Sequence, residues 1–281
     1  MFPPILIAGR EIGPYGIMAI LGALVAALYV WRTNKGGRAG HIKNDDLLHI
    51  FLMMVAGVFI GAKVLYLIVN IPLFVRSWAI FMAQPALLLN YLVGGMVFYG
   101  GLIGGLLAVL WYCRKYQVPF KTVAGLMTPM IPLFHTFGRV GCFLGGCCWG
   151  VEAHWGVTYH YSPAAPNEVP LMPIQLFEAA GNLVLFVVLA YLSRRLVRKW
   201  LVLPLYLVCY AAMRFVLEFF RGDTARGVWL LSTSQWIALG MLVGVALLWL
   251  LKWRKQQDTP PEDSQPPENP GQQPRQAQAI P

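Results

Sequence analysis

Seven stretches of this 281-residue chain stay apolar for about as long as the roughly 20 residues an α-helix needs to cross a bilayer. They cover residues 14–31, 47–71, 86–112, 123–146, 171–192, 200–220 and 228–251. Their apolar residues come in blocks, without the one-sided stripe of a helix resting on a soluble core, and only 12% of the chain is charged. The expectation is an all-α polytopic membrane protein of about seven transmembrane helices. Residues 1–255 form this domain, and 256–281, rich in Gln, Pro, Glu and Asp, are too polar to bury a core and read as a disordered tail.

A net charge of +10 on a soluble protein would point to nucleic acid, but here the position of the cations gives another meaning. Fifteen of the 22 basic residues lie in alternate connections or the tail: Arg32 to Lys43, Arg114 to Lys121, Arg194 to Lys199, and Lys252 to Arg275. The other connections hold only Arg10, Arg76, Arg221 and Arg226. By the positive-inside rule this places the amino terminus outside and the carboxyl terminus in the cytoplasm, with no nucleic-acid partner. Losing or adding one span would put a basic loop on the wrong side. The first span is too long for a signal-peptide core and lacks a basic leader, so it is expected to remain in the protein.

Trp78 to Gln84 is short and aromatic, which suits an interfacial anchor or a path for lipid. The connection 147–170 contains no Lys or Arg but carries Trp149, Trp155, Tyr159 and Tyr161, a composition suited to the outer headgroup layer and able to cap a site. No internal repeat is visible, which weakens a transporter reading.

Full charges inside the spans are the main clue to function. Lys63, Arg139, Glu178, Arg214 and Glu218 each cost about 2.5–3.5 kcal/mol to insert at mid-membrane depth. Retaining them is most simply explained by a charged ligand between the helices, such as a lipid headgroup. Arg139 has five glycines near it in 135–150, which predicts a helix break near the outer end; its forked donors match phosphate oxygens, or a buried carboxylate. Arg214, Glu218 and Arg221 are spaced four and then three apart on one helix face, so Arg214 pairs with Glu218 and positive charge is left over for an anion. Glu178, in the first turns after Pro173 with Gln175, is placed to hold an arginine, and Lys63 to join the same network.

The glycines Gly94 to Gly105 set Gly100 with Gly104 and Gly101 with Gly105 one turn apart, which implies close helix packing, with Tyr99 at the groove's edge. Cys142, Cys147 and Cys148 cluster in sequence near His135 and His154. Their spacing matches no common zinc pattern, so packing ranks first, a disulfide or redox role second and metal last. Cys113 and Cys209 read as structural.

Several segments together resemble the prolipoprotein diacylglyceryl transferase family. They are Gly13-Pro-Tyr-Gly16, Gly61-Ala-Lys63, the Gly94–Gly105 run, the Gly-Arg-Val-Gly core of 135–150, Pro173 to Glu178, and Arg214 to Arg221 followed by Ser234-Gln-Trp. The resemblance implies a bacterial inner-membrane enzyme that moves a diacylglyceryl group from phosphatidylglycerol to the lipobox cysteine thiol of a prolipoprotein, releasing glycerol 1-phosphate. It implies no cofactor and no metal. Membrane lipid and the lipobox peptide are the expected partners.

Carried over residue by residue, the resemblance makes Arg139, Arg214, Tyr99 and Glu178 the catalytic set. Arg139, Tyr15, Lys63, Glu218, Arg221 and Cys142 are the substrate-binding set. The chain departs from the family where Tyr99 replaces a usual histidine, Cys142 a usual asparagine and Lys63 a usual arginine. A phenol is a weak base unless cations lower its pKa, so Tyr99 also fits a lipid-orienting role. These departures leave two other readings open: a related transferase with a different acceptor, and a non-catalytic lipid or anion transporter.

Overall fold

The computed structural model describes residues 5–7, 10–35, 42–162, 164–196, 199–223, 227–228 and 230–257. The expected tail lies outside them, apart from its first residues, which end the last helix. The chain is mostly helical, and among the described residues four helices are long and apolar enough to cross a membrane: α1 (Pro14–Lys35), α2 (Asn44–Val69), α9 (Ile174–Arg195) and α11 (Thr233–Gln257). Only 6% of the apolar window of α2 and 11% of that of α11 is buried inside the protein. Their Leu, Ile and Val side chains therefore face outward, which hydrocarbon accepts and water penalises.

The other expected spans are shorter or interrupted. The stretch 86–112 divides into α5 (Pro85–Val93) and α6 (Phe98–Lys115), because Gly95 takes a left-handed φ of 68°. Before it come two one-and-a-half-turn helices, α3 (Ile71–Arg76) and α4 (Trp78–Ala83), where the interfacial segment was expected. The stretch 123–146 divides into α7 (Phe120–Met127) and α8 (Met130–Gly145) at Thr128-Pro129. Proline removes an amide donor there, and the Thr128 hydroxyl caps the Ala124 carbonyl. The break expected near the outer end of 135–150 falls at Gly146. α8 continues through Arg139 and ends at Gly146, whose φ of 69° is a left-handed helix stop. α10 (Val202–Glu218) follows a 3-10 turn.

Three two-stranded ribbons join the helices: β1 (Ile5–Ile7) with β2 (Arg10–Ile12), β3 (Glu152–Thr158) with β4 (Pro170–Leu171), and β5 (Gly227–Val228) with β6 (Leu231–Ser232), all antiparallel. The β3–β4 ribbon encloses a small core of Tyr159, Ala165 and Leu171, against which Trp149 packs. This core gives the long connection 147–170 a fixed shape.

Helix α2 packs on α6 through four glycines. A Cβ at Gly57 or Gly61 would meet the backbone of Gly104 or Gly100, and the reverse holds from the other side. The close-packing role expected of Gly100 and Gly104 is thus met by partners in α2. α1 lies on α8, with Gly22 beneath Phe137 and Gly141 beneath Tyr15. α9 packs against both α8 and α10 and so stands between the two helices that carry the arginines. A core of Ala26, Val30, Ile50, Val109, Val123 and Met130 holds α1, α2, α6, α7 and α8 together, and Cys113 is buried within it.

Candidate active site

The site is built on α9. Its first turn carries Gln175 and, one turn later, Glu178, both about 1% exposed. Glu178 Oε1 lies 2.9 Å from Arg139 Nη2 of α8, and its Oε2 lies 3.6 Å from Arg214 Nη1 of α10. Two guanidinium groups from separate helices therefore converge on one carboxylate. On α10, Arg214 also meets Glu218 at 2.6 Å, one turn on, and donates to the Ser234 hydroxyl of α11 at 3.2 Å. The tyrosines Tyr206 and Tyr210 extend the same α10 stripe toward the other end, with ring centroids 5.6 Å apart. Tyr210 is within electrostatic reach of Arg139, and its ring lies 5.3 Å from that of His135, one turn before Arg139.

The expected surplus of positive charge is absent. Arg221 makes a two-pronged contact with Asp223, Nε to Oδ1 at 2.8 Å and Nη2 to Oδ2 at 2.6 Å. Burial works against the Arg221 charge, but hydrogen bonds with Asp223 and Cys148 outweigh it and hold the guanidinium pKa above its ordinary value. Arg139, Arg214 and Arg221 are thus matched by Glu178, Glu218 and Asp223. The sequence pattern missed this because Asp223 lies beyond the end of α10 and reaches back to Arg221. The Glu178 contact occupies one nitrogen of Arg139, and a guanidinium has five N–H groups to give.

The connection 147–170 is tied by hydrogen bonds to the helices that carry this cluster. Gln175 Nε2 donates to the Cys147 carbonyl at 2.7 Å and to the Tyr159 hydroxyl at 3.1 Å. The Gly150 amide donates to the Met172 carbonyl at 3.0 Å, Val151 to that of Phe220 at 2.9 Å, and Gly222 to that of Trp149 at 3.0 Å. The loop after α8 is therefore clamped between the start of α9 and the end of α10. Gly150 is needed for that approach, since a Cβ there would meet the Met172 carbonyl at 2.7 Å.

Cys142 lies one turn beyond Arg139, and its sulfur, with those of Cys147 and Cys148, falls within a 4.8 Å group. All five cysteines are free thiols. Hydrogen bonds from Cys142 and Cys147, helped by Arg221, hold the Cys148 thiol below its usual pKa. Tyr15, half-exposed at the start of α1, is within electrostatic reach of Cys142 and Arg139.

Lys63 lies apart from this cluster. Its ammonium donates to the Gly94 carbonyl at 2.6 Å and sits 4.9 Å from the Tyr66 ring centroid, so it secures the break between α5 and α6. Tyr99 is half-buried in the first turn of α6. A separate groove of about 310 Å³, rimmed by Arg32 and Arg194 and otherwise largely apolar, lies at the far end of α1 and α9 and contains none of the expected site residues.

Residues 4–251, nearly the whole folded part, match the prolipoprotein diacylglyceryl transferase family. The chain belongs to that family. It is 35% identical over 254 residues to the phosphatidylglycerol–prolipoprotein diacylglyceryl transferase of Clostridium tetani, covering 88% of this chain and 96% of that protein. A second such transferase from Clostridium perfringens is 33% identical, covering 89% and 96%, and one from Bordetella avium is 31% identical, covering 92% and 99%. The family match spans every element that contributes to the arginine cluster, from α8 to α11. Within this diacylglyceryl transferase, Tyr210 and Asp223 are the cluster members that the motif pattern missed. Tyr210 was detectable in principle, being four residues before Arg214 on the same helix face.

Proposed function

We propose that Arg139 and Arg214 bind the phosphate of phosphatidylglycerol between α8, α9 and α10, and that Glu178 holds them in position for the transfer. The enzyme is a phosphatidylglycerol–prolipoprotein diacylglyceryl transferase, the activity named for its relatives. The observation that carries the site assignment is the convergence of both guanidinium groups on the one buried carboxylate of Glu178.

The acceptor is the cysteine of a lipobox peptide, approaching from the outer connection. Its thiolate attacks the glyceryl carbon that carries the phosphate ester, and the carbon–oxygen bond breaks. The electron pair leaves with glycerol phosphate, whose charge rises by one as the diester becomes a monoester. Fixed donors aimed at those oxygens stabilise the growing charge without solvent reorganisation. Glu218 orients Arg214, Arg221 and Tyr15 frame the outer side, and Cys142 lies next to Arg139. Tyr99 orients lipid.

The protein lies in the bacterial inner membrane with about seven crossings. The amino terminus is outside, the carboxyl terminus is cytoplasmic, and α7 with α8 counts as one crossing. Residues 1–255 act as one domain.

The test is incubation of the purified protein with labelled phosphatidylglycerol and a lipobox peptide. Glycerol phosphate and a thioether peptide are the expected products, and Arg139→Ala is expected to slow their formation by about 10²–10³-fold. Return of intact lipid only, with lipid moved between vesicle leaflets, would establish a transporter in place of an enzyme.

A further inference from the structure

The neighbouring side chains of an extended chain point to opposite sides, yet Cys147 and Cys148 both turn toward Cys142. The left-handed backbone of Cys148, φ 60°, accomplishes this, a conformation that non-glycine residues rarely adopt. Gly146 stops α8 just before the pair, and the Cys147 amide donates back to the Cys142 carbonyl at 3.1 Å. Gln175 fixes the Cys147 carbonyl from α9. Three thiols are thus held together by a helix end, a strained turn and a buried amide, with Cys142 one helical turn beyond Arg139.

The geometry points to a three-thiolate zinc site whose fourth position takes the acceptor cysteine of the lipobox peptide; this rests on the transferase reading above. Sulfurs sharing one tetrahedral zinc, each about 2.3 Å from the ion, stand about 3.8 Å apart. The three sulfurs here already lie within 4.8 Å of one another, so shifts of about 1 Å complete the site. Three protein ligands with one open position is the pattern of catalytic zinc. Zinc with three thiolates carries one net negative charge, and Arg139 and Arg221 are both within electrostatic reach of these thiols.

The chemistry fits the reaction. The acceptor thiol binds zinc as a thiolate and releases its proton to solvent. It then attacks the glyceryl carbon, forming the thioether and leaving zinc as the carbon–oxygen bond breaks toward the phosphate held by Arg139 and Arg214. No electron transfer is involved. This assigns a function to three cysteines whose spacing alone placed metal last among their readings.

The experiment uses the full chain purified in non-ionic detergent with reductant and without chelator. About one zinc per chain is expected by elemental analysis. Cys147→Ser, Cys148→Ser and the triple serine variant should lose it. Reconstitution with cobalt(II) should give a thiolate-to-cobalt charge-transfer band that changes when a lipobox peptide is added and stays the same with its Cys→Ser counterpart. Zinc no higher than in the triple serine variant, a disulfide among these cysteines, or a cobalt spectrum indifferent to the peptide overturns the proposal. Glycerol phosphate release measured on the same samples decides the transferase reading separately. Release that continues in zinc-free serine variants keeps the transferase and removes the metal, whereas a responsive cobalt spectrum without release does the reverse.

Discussion

Glu178→Gln is the sharpest test of the arginine cluster, because it preserves shape and removes one charge. In the native protein this carboxylate is 2.9 Å from Arg139 and 3.6 Å from Arg214, with its side chain 2% exposed. Removing one partner of a buried ion pair costs about 3–5 kcal/mol, since the remaining charge is left uncompensated. Arg214 keeps Glu218 at 2.6 Å, and Arg139 is 16% exposed, so the lower end applies. A loss of about 3 kcal/mol corresponds to a fall in Tm of about 6–12 °C for a domain of this size. Thermal unfolding in detergent measures it. The same substitution uncovers two guanidinium groups for an anion, so added phosphatidylglycerol should raise the Tm of the variant more than that of the unchanged protein, by mass action on the folded state. Transfer should nonetheless fall by about 100-fold, because the arginines lose the orientation that catalysis needs. A variant that melts within a degree of the parent, or one that phosphatidylglycerol stabilises no more than the parent, would refute the idea that Glu178 stands where two arginines meet a phosphate.

Gly104→Val should destabilise the α2–α6 pair by about 1–3 kcal/mol, at the upper end because the obstructing atoms are Gly57 backbone, whereas Gly240→Ala, with nothing within 4 Å, should leave the Tm unchanged or higher. Denaturation series on both variants check this. Gln175→Ala removes donors to the Cys147 carbonyl and the Tyr159 hydroxyl and should cost about 1–3 kcal/mol. It should also make the outer connection 147–170 the first site of limited proteolysis, with cleavage elsewhere arguing against the clamp.

The parts of the fold legible in the sequence are those set by local pattern. Apolar runs of bilayer length located α1, α2, α9 and α11, and the spacing Arg214-x3-Glu218 was enough to foresee their contact. Gly100 and Gly104 showed a smooth helix face, although their partners Gly57 and Gly61 could be matched only once α2 and α6 were seen together. Other features depended on competition between local signals. Five glycines near Arg139 read as a helix end, and the one that takes a positive φ, Gly146, is where α8 stops; the interruption at Thr128-Pro129, where proline lacks an amide donor, lay outside that pattern.

The convergence of Arg139 and Arg214 on Glu178 was legible only as a set of choices, because three helices leave open which carboxylate faces which cation. The structure's answer changes the physics of the site as well as its geometry. A surplus of positive charge would bind any anion, including free phosphate, by attraction at long range. A cluster whose arginines are each matched by Glu178, Glu218 or Asp223 has little such pull. Its selectivity must come from donors fixed in direction, which favour an oxygen array of the right shape and reward the added charge of a phosphate monoester as it forms. Neutral overall charge with oriented donors is therefore better suited to stabilising the transition state than to storing the ground-state lipid. In the proposed site the buried carboxylates then share in the catalytic design, since without them the same arginines would be costlier to hold in the membrane and less exact in aim.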